Sequence, residues 1–320
     1  NEVNMAVNPV DQPVTFVIDR NINYTNICSC ECKFCAFYKK PGDNGGYVLS
    51  YDQLSKKIKD LVAIGGTQIL LQGGLNPDLN LEFYTSMLKS IRVDFKDITI
   101  HAFSPPEIAY IAKNNGLSVE ELLKIFKDAG LSSIPGGGAE ILVDSIRSEL
   151  SPNKINSSEW LNVMEKAHKS GLNTSATMMA GSIESEEDII YHLISIRDLQ
   201  DKTGGFIAFI PWSFQPNNTD IVPLKYFTGQ DYLKLLSISR IVLDNFKNIQ
   251  VSWPTQGLKI AQIALSFGAN DFGGIMMEEN VIASTGLVIN SSINSVVKSI
   301  QSIGRKAAQR NTAYQILQTY

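Results

Sequence analysis

All four cysteines of this 320-residue chain fall within eight residues, at Cys28, Cys30, Cys32 and Cys35. Cys28, Cys32 and Cys35 form a C-x3-C-x2-C run, a spacing that lets one loop wrap three thiolates around an iron–sulfur cubane. A [4Fe–4S] cluster normally takes four cysteines. Three leave one iron without a protein ligand, and an open iron can bind a small molecule. A structural zinc site is the competing reading, but such sites usually separate two C-x2-4-C hooks by a longer stretch. A disulfide framework fits poorly in a chain of this length with no other cysteine. Cys30 interrupts the simple pattern and reads as a bystander, with ligand exchange left open.

The elements that would position such a loop follow from the apolar patterning. Strand patterns cover Thr15–Ile22, Thr67–Leu71, Ile98–Phe103, Ser132–Pro135, Thr174–Met179, Gly205–Ile210, Ile249–Trp253 and Ala269–Phe272. Helical patterns lie between them, at Tyr51–Ile64, Leu81–Val93, Val119–Ala129, Ser158–Ser170, Glu186–Gln200, Asp231–Phe246 and Gln256–Phe267. Ser50 reads as a cap for the first helix, and Gly130 and Gly171 as stops. Eight strand–helix units call for a parallel sheet with covered faces, and over this length for a (β/α)8 TIM-type barrel. A doubly wound open sheet is the alternative. A helical segment returns over about 290–320. With no low-complexity linker or repeat, residues 1–320 read as one domain, carrying a cluster loop at 26–38.

Composition limits the partners. With 28 Lys+Arg against 32 Asp+Glu, the net charge of −4 offers no electrostatic case for nucleic acid or an anionic membrane. Apolar runs such as Phe206–Trp212 are far too short to span a bilayer. No export signal is visible at the start, and reduced thiols fit a cytoplasmic protein.

In a barrel the active site gathers at the C-terminal ends of the strands. The chemically unusual residues occur there in register: the cysteines, then Gln72-Gly73-Gly74, His101 to Glu107, Gly136 to Glu140, Met178 to Glu184, Ile210 to Pro216, Trp253-Pro254 and Asn270 to Gly274. Each group has a structural alternative. Paired glycines permit close approach to a ligand, or simply a tight turn. Gly136–Gly138 could present amides to an anion, but lacks the Lys and Ser/Thr of a nucleotide-binding P-loop. Glu140 could accept from hydroxyls or serve as a helix N-terminal carboxylate. His101 is a candidate base or a satisfied core histidine. His168 and His192 lie on helices and read as structural or exposed. Glu107, Glu184, Asp271 and Glu278 could bind polar substrate groups or pair locally. Trp212, Phe214 and Trp253 could wall an aromatic substrate or plug the barrel.

The cysteine spacing, with Phe34 before the last cysteine, resembles the signature of the radical S-adenosylmethionine (SAM) superfamily. The resemblance implies that Cys28, Cys32 and Cys35 hold a [4Fe–4S] cluster whose open iron binds SAM. It also implies that an electron from the cluster splits SAM to give a 5′-deoxyadenosyl radical. On that reading Phe34, Gln72, Gly73, Gly74, Glu140 and Arg147 are candidates for SAM contact.

A closer resemblance runs from about Thr15 onward. Val17–Asn26, Gly65–Asp78, His101–Ile108, Ser133–Leu142, Phe209–Pro216, Gly268–Gly274 and Met276–Asn280 resemble the cyclic dehypoxanthine futalosine synthase family. Aminofutalosine synthase and the deazaflavin (F0) synthase subunit share much of the pattern. Gly181-Ser182 departs from the Gly-His common among relatives, which puts any role of that histidine in doubt here. The resemblance implies a menaquinone-route cyclase acting on dehypoxanthine futalosine. Hydrogen abstraction from its ribose, addition to the benzoate ring, and loss of an electron and a proton would give a spirocycle. Expected substrate contacts are Glu184, Trp212, Gln215, Asp271 and Glu278. His101, Glu107 or a tyrosine would be the base, and a flavodoxin or ferredoxin the electron donor. A non-catalytic metal-binding barrel is the reading of a different class.

Overall fold

The computed structural model describes residues 9, 11–287 and 291–320. β1 (Val14–Val17) and β2 (Asp19–Asn23) are one extended stretch interrupted at Ile18. β2 begins a six-stranded sheet, followed in order by β3 (Gln68–Gln72), β4 (Thr99–Ala102), β5 (Ser133–Ile134), β6 (Asn173–Ala180) and β7 (Phe206–Ser213). All five pairings are parallel. β1 instead pairs in parallel with β8 (Asp271–Gly274). Parallel bridges Phe209–Ile249 and Gln250–Asp271 carry the pairing from β7 across to β8. Since β1 runs on into β2, the pairing closes into a ring. The expected strand Ile249–Trp253 is reduced to those two bridges. Trp253 already opens a helix, with Pro254 in its first turn, where a missing N–H costs nothing.

Helices cover the outer face: α1 (Tyr51–Ala63), α2 (Leu81–Asp94), α3 (Pro105–Asn114), α4 (Val119–Ala129), α5 (Asp144–Leu150), α6 (Ser157–Lys169), α7 (Glu186–Thr203), α8 (Gly229–Val242) and α9 (Trp253–Ala264). Their starts are written locally. Ser50, Ser104, Ser118, Asn156, Ser185 and Thr228 each close a capping box with the residue three positions on. The core between sheet and helices is apolar, from Ile22, Ile69, Leu71, Ala176, Met178 and Phe209 outward. Among the described residues no helix is long and apolar enough to cross a membrane.

The C-terminal region keeps the expected helical segment only in its first part. After the short α10 (Asn280–Ala283), α11 covers Ile293–Gln301 and stops near Gly304, at φ 75°. β9 (Ala307–Arg310) and β10 (Ile316–Thr319) then form an antiparallel hairpin, with β9 alongside β1 in parallel. β1 has a free edge there, and unpaired strand N–H and C=O groups demand a partner. All four residues of β10 are exposed, so no alternation of apolar and polar residues announces it.

The alternation of a strand sends every second side chain inward. Inward positions of a packed barrel carry bulky aliphatic residues. Here Asp19, Asn21 and Asn23 on β2, Gln68 and Gln72 on β3, and Ser175 and Thr177 on β6 face inward and line a cavity. The barrel is therefore hollow.

Candidate active site

The cavity measures about 410 Å³ and runs from the cysteine loop down into the barrel. Cys28, Cys30, Cys32 and Cys35 all contribute to its wall. Backbone hydrogen bonds fix the loop: Cys28 N donates to Lys39 O (2.8 Å), Ser29 N to Leu75 O (3.0 Å) and Lys33 N to Leu150 O (2.9 Å). The Gln72–Gly74 turn packs directly against it. A Cβ at Gly74 would lie 2.2 Å from Ile27 O and 2.7 Å from Cys28 Cβ, and one at Gly73 would lie 2.5 Å from the Tyr24 ring. The glycines admit the close approach of the cysteine loop itself.

Glu107 anchors the same junction. Oε1 accepts from Tyr24 OH (2.6 Å) and Gly73 N (3.0 Å), and Oε2 from Ser104 N and Oγ (both 2.7 Å). Burial pushes its carboxyl up to about 7 against those hydrogen bonds. Four donors already occupy both oxygens, which makes Glu107 a structural clamp.

The thiols differ. Cys28 Sγ accepts from Leu75 N (3.2 Å) and Cys30 N (3.4 Å), while burial pushes its pKa up. Burial raises Cys35 to about 11. Cys30 Sγ lies 3.5 Å from Cys32 Sγ, and the shared proton, aided by the Lys154 ammonium, holds Cys32 down at about 7. Lys154 was not singled out by the sequence. Its Nζ sits 3.2 Å from Glu140 Oε1 and 4.8 Å from the centroid of the Phe34 ring, nearly buried beside the cysteines. Glu140 adopts φ 41°, and its Oε2 is buried without a hydrogen-bond partner.

At the opposite end the floor is polar. Asp19, Gln68, His101, Arg310, Thr312 and Tyr314 line it. Thr312 Oγ1 donates to Gln68 Oε1 (2.6 Å), and Arg310 pairs with the fully buried Asp271 through Nε (2.5 Å) and Nη2 (2.9 Å). His101 Nδ1 is 2.7 Å from Ser133 Oγ, and burial, assisted by Arg310, lowers its pKa to about 3. A proton acceptor that weak serves better as a neutral hydrogen-bonding group. Burial also raises Asp19 to about 6.

Of the residues expected from sequence, the structure brings Cys28, Cys32, Cys35, Phe34, Gln72, Gly73, Gly74, His101, Glu107, Glu140 and Trp212 to one cavity. Five others do not line it. Arg147 donates to the carbonyls of Gly138, Ala139 and Ile155 and so braces the loop that carries Glu140. Glu184 accepts from the Gly181 and Ser182 amides and Ser182 Oγ (2.6 Å), closing its own turn. Gln215 donates to Ser213 O. Asp271 is spent on Arg310, and Glu278 on Lys57 and Arg20 outside the cavity. The signal for Asp19, Asn21 and Gln68 was present in the sequence, as polar residues at every second position of otherwise buried strands. Arg310, Thr312 and Tyr314 gave none.

Residues 22–194 match the radical SAM superfamily, and residues 203–320 the CofH/MqnC C-terminal region. The chain belongs to the radical SAM superfamily. A cyclic dehypoxanthine futalosine synthase of Halalkalibacterium halodurans is 45% identical over 321 residues, spanning 100% of this chain and 86% of the relative. A 5-amino-6-(D-ribitylamino)uracil--L-tyrosine 4-hydroxyphenyl transferase of Methanococcoides burtonii is 43% identical, over 95% of this chain and 87% of the relative. The FeFe-hydrogenase maturase HydG from Carboxydothermus hydrogenoformans shares the fold, with a TM-score of 0.75 at 15% identity across 98% of this chain and 71% of that one. Methylornithine synthase does so with a TM-score of 0.73 at 16% identity, across 96% and 86%. The protein is thus a radical SAM enzyme of the futalosine-type family, acting on a small molecule.

The donor set of this radical SAM chain suits such chemistry. Among the described residues no three Cys, His, Asp or Glu side chains converge as on one metal ion. A cubane does not ask for that, because each cysteine binds a different iron. Sulfurs that accept backbone N–H bonds, a lysine beside them and a carboxylate oxygen without a hydrogen-bond partner fit a cluster with a polar ligand next to it.

Proposed function

We propose that the protein cyclises dehypoxanthine futalosine to cyclic dehypoxanthine futalosine in menaquinone biosynthesis. The observation that carries this reading is the 45% identity to a synthase of that name along the entire chain. Cys28, Cys32 and Cys35 hold the cluster, with SAM beside it near Gln72, Gly74, Phe34 and Glu140. When bound, cluster and SAM supply the electron and the hydrogen abstraction from the substrate ribose that starts ring closure.

The chain's own residues have four tasks. Arg147, whose Nη1 lies 3.8 Å from Glu140 Oε2, and Lys154 hold Glu140 so that Oε2, which has no hydrogen-bond partner, can accept from an N–H or O–H of SAM. Lys154 offsets negative charge on the cysteine sulfurs, where little water competes. Glu107 locks the cysteine loop to the Gln72–Gly74 turn and so fixes the distance between radical source and substrate, on which such chemistry depends. Trp212, half-buried on the cavity wall, shields one side and offers a face to the substrate ring. A low-potential donor such as flavodoxin or ferredoxin, and the reducing cytoplasm, belong to the same proposal.

The M. burtonii transferase, at 43% identity, supports a second reading: joining tyrosine to 5-amino-6-(D-ribitylamino)uracil. One assay separates the two. After anaerobic reconstitution, the enzyme is incubated with dithionite and SAM and either dehypoxanthine futalosine or tyrosine plus 5-amino-6-(D-ribitylamino)uracil. Mass spectrometry of 5′-deoxyadenosine and products should show the spirocycle in the first mixture alone. Coupled product in the second, with none in the first, would replace the cyclase by the transferase.

A further inference from the structure

We propose that the floor of the cavity hydrogen-bonds the hydroxyls of the substrate's sugar or polyol chain from the side away from the radical source, and that Tyr314 is its specificity-determining residue. The inference rests on the functional reading above only in assigning the floor to substrate rather than to SAM.

Tyr314 carries two local costs. Its hydroxyl is buried without a hydrogen-bond partner, although the residue lines the cavity. Its backbone sits at φ 62°, a left-handed conformation unusual for a bulky residue and characteristic of functional sites. The turn that imposes it is tight: Tyr314 N donates to Asn311 O (3.1 Å), and Asn311 and Gln315 bond through both backbone and side chains. The ring is held rigid by the Arg310 guanidinium, 3.8 Å from its centroid, itself locked by Asp271. Asn21, on the wall above, has a second orphan, since its Nδ2 bonds Glu279 while Oδ1 has no partner.

The chemistry of the floor selects the ligand class. Its charges are already spent, Arg310 on Asp271 and Glu279 on Asn21 and two backbone amides. Among the described residues no unpaired cation of the floor faces the cavity to receive a carboxylate or phosphate, and Asp19 would repel one. What remains is neutral or acceptor-rich: the Tyr314 hydroxyl, kept protonated by burial, the neutral His101 imidazole, Asn21 Oδ1 and the Gln68–Thr312 pair. Hydroxyls that both donate and accept match this set.

The test is Tyr314→Phe, which keeps the ring on Arg310 and removes only the oxygen. Equilibrium binding of dehypoxanthine futalosine and of 5-amino-6-(D-ribitylamino)uracil would be followed by Trp212 fluorescence in reconstituted enzyme, beside SAM affinity and the urea midpoint. Whichever polyol-bearing compound the wild type binds should bind about tenfold more weakly to the variant, with SAM affinity and midpoint unchanged. Equal binding by wild type and variant overturns the inference while leaving the cyclase assay standing. Binding and turnover of the ribityl compound would sink the cyclase yet still score Tyr314. A wild type that binds neither compound overturns both. If Tyr314→Phe folds poorly, His101→Asn, which keeps a partner for Ser133, alters the same floor from β4 and should weaken the same ligand.

Discussion

The two ends of the cavity are built by opposite means. The rim draws on short contiguous segments, Tyr24–Tyr38, Gln72–Leu75 and Gly136–Glu140, knitted by backbone hydrogen bonds and by glycines whose Cβ atoms would collide with the next loop. The floor gathers Asp19 near one end of the chain and Arg310, Thr312 and Tyr314 near the other, brought together by the pairing of β1 with β9 and fixed by the side-chain bonds Arg310–Asp271 and Thr312–Gln68. The rim carries sulfur and a buried lysine, whereas the floor carries neutral donors and acceptors beside Asp19 and an Arg310 already paired with Asp271. Radical generation needs a fixed electrostatic frame close to the cofactor. Substrate choice needs polar groups that go unsatisfied when the wrong molecule enters. On the proposals above, the difference separates the shared chemistry of the superfamily from what distinguishes one member from another.

Breaking the rim should have the largest effect. Cys32→Ala is expected to lose the iron–sulfur chromophore on anaerobic reconstitution and to reduce 5′-deoxyadenosine formation to background, while the floor still binds its ligand. Retention of cluster and SAM cleavage would make Cys30 a competent replacement, since its sulfur lies 3.5 Å away.

Breaking the floor should cost stability before chemistry. Asp271→Asn leaves the Arg310 guanidinium buried without its charge partner, and removal of one member of a buried pair costs about 3–5 kcal/mol. The urea midpoint should fall accordingly, and a shift within error would mean that water reaches Arg310. Lys154→Met sharpens the contrast from the other side. Loss of the charge beside Glu140 and the cysteines should weaken SAM binding about tenfold, or about 1.4 kcal/mol, with substrate affinity at the floor unchanged. An equal loss for both ligands would show that the two ends are not separable.

The smallest perturbation is pH. Burial lowers His101 and His192 to about 3 and His168 to about 4, against 6.5 when free. A depressed folded-state pKa favours the native state fully above pH 6.5 and withdraws that support as pH falls through the folded value. The three imidazoles should therefore keep neutral NMR shifts down to about pH 5 in the native protein, and titrate near 6.5 in urea. Titration of His101 near 6.5 in the native state would mean that the floor is open to water.

The sequence reading found the rim because cluster chemistry constrains neighbours in the chain. C-x3-C-x2-C is a local statement, as are the glycines of Gln72–Gly74 and the capping boxes at Ser104 and Ser118. Expected strands recurred in the structure wherever a buried run stood between turn residues, as at Gln68–Gln72 and Asn173–Ala180. Ile249–Trp253 shrank to two bridges, and the latter part of the helical segment expected over about 290–320 gave way to a hairpin, because free edges of neighbouring strands decide such pairings. The carboxylates misled for a related reason. Asp271 and Glu278 looked available, yet each is consumed by a partner distant in the chain, and Glu184 by its own turn.

By itself, then, the sequence determined the tight cysteine spacing and the alternation of strand and helix, which follow from local spacing and periodicity, and its segments carried the resemblance to the family. Only the tertiary structure decided that the barrel is hollow, that Lys154 stands beside the cysteines, and that the C-terminal hairpin supplies Arg310, Thr312 and Tyr314 to the floor. Ring closure brings the two ends of the chain together, and burial then sets which charges pair and which polar atoms are left for a ligand.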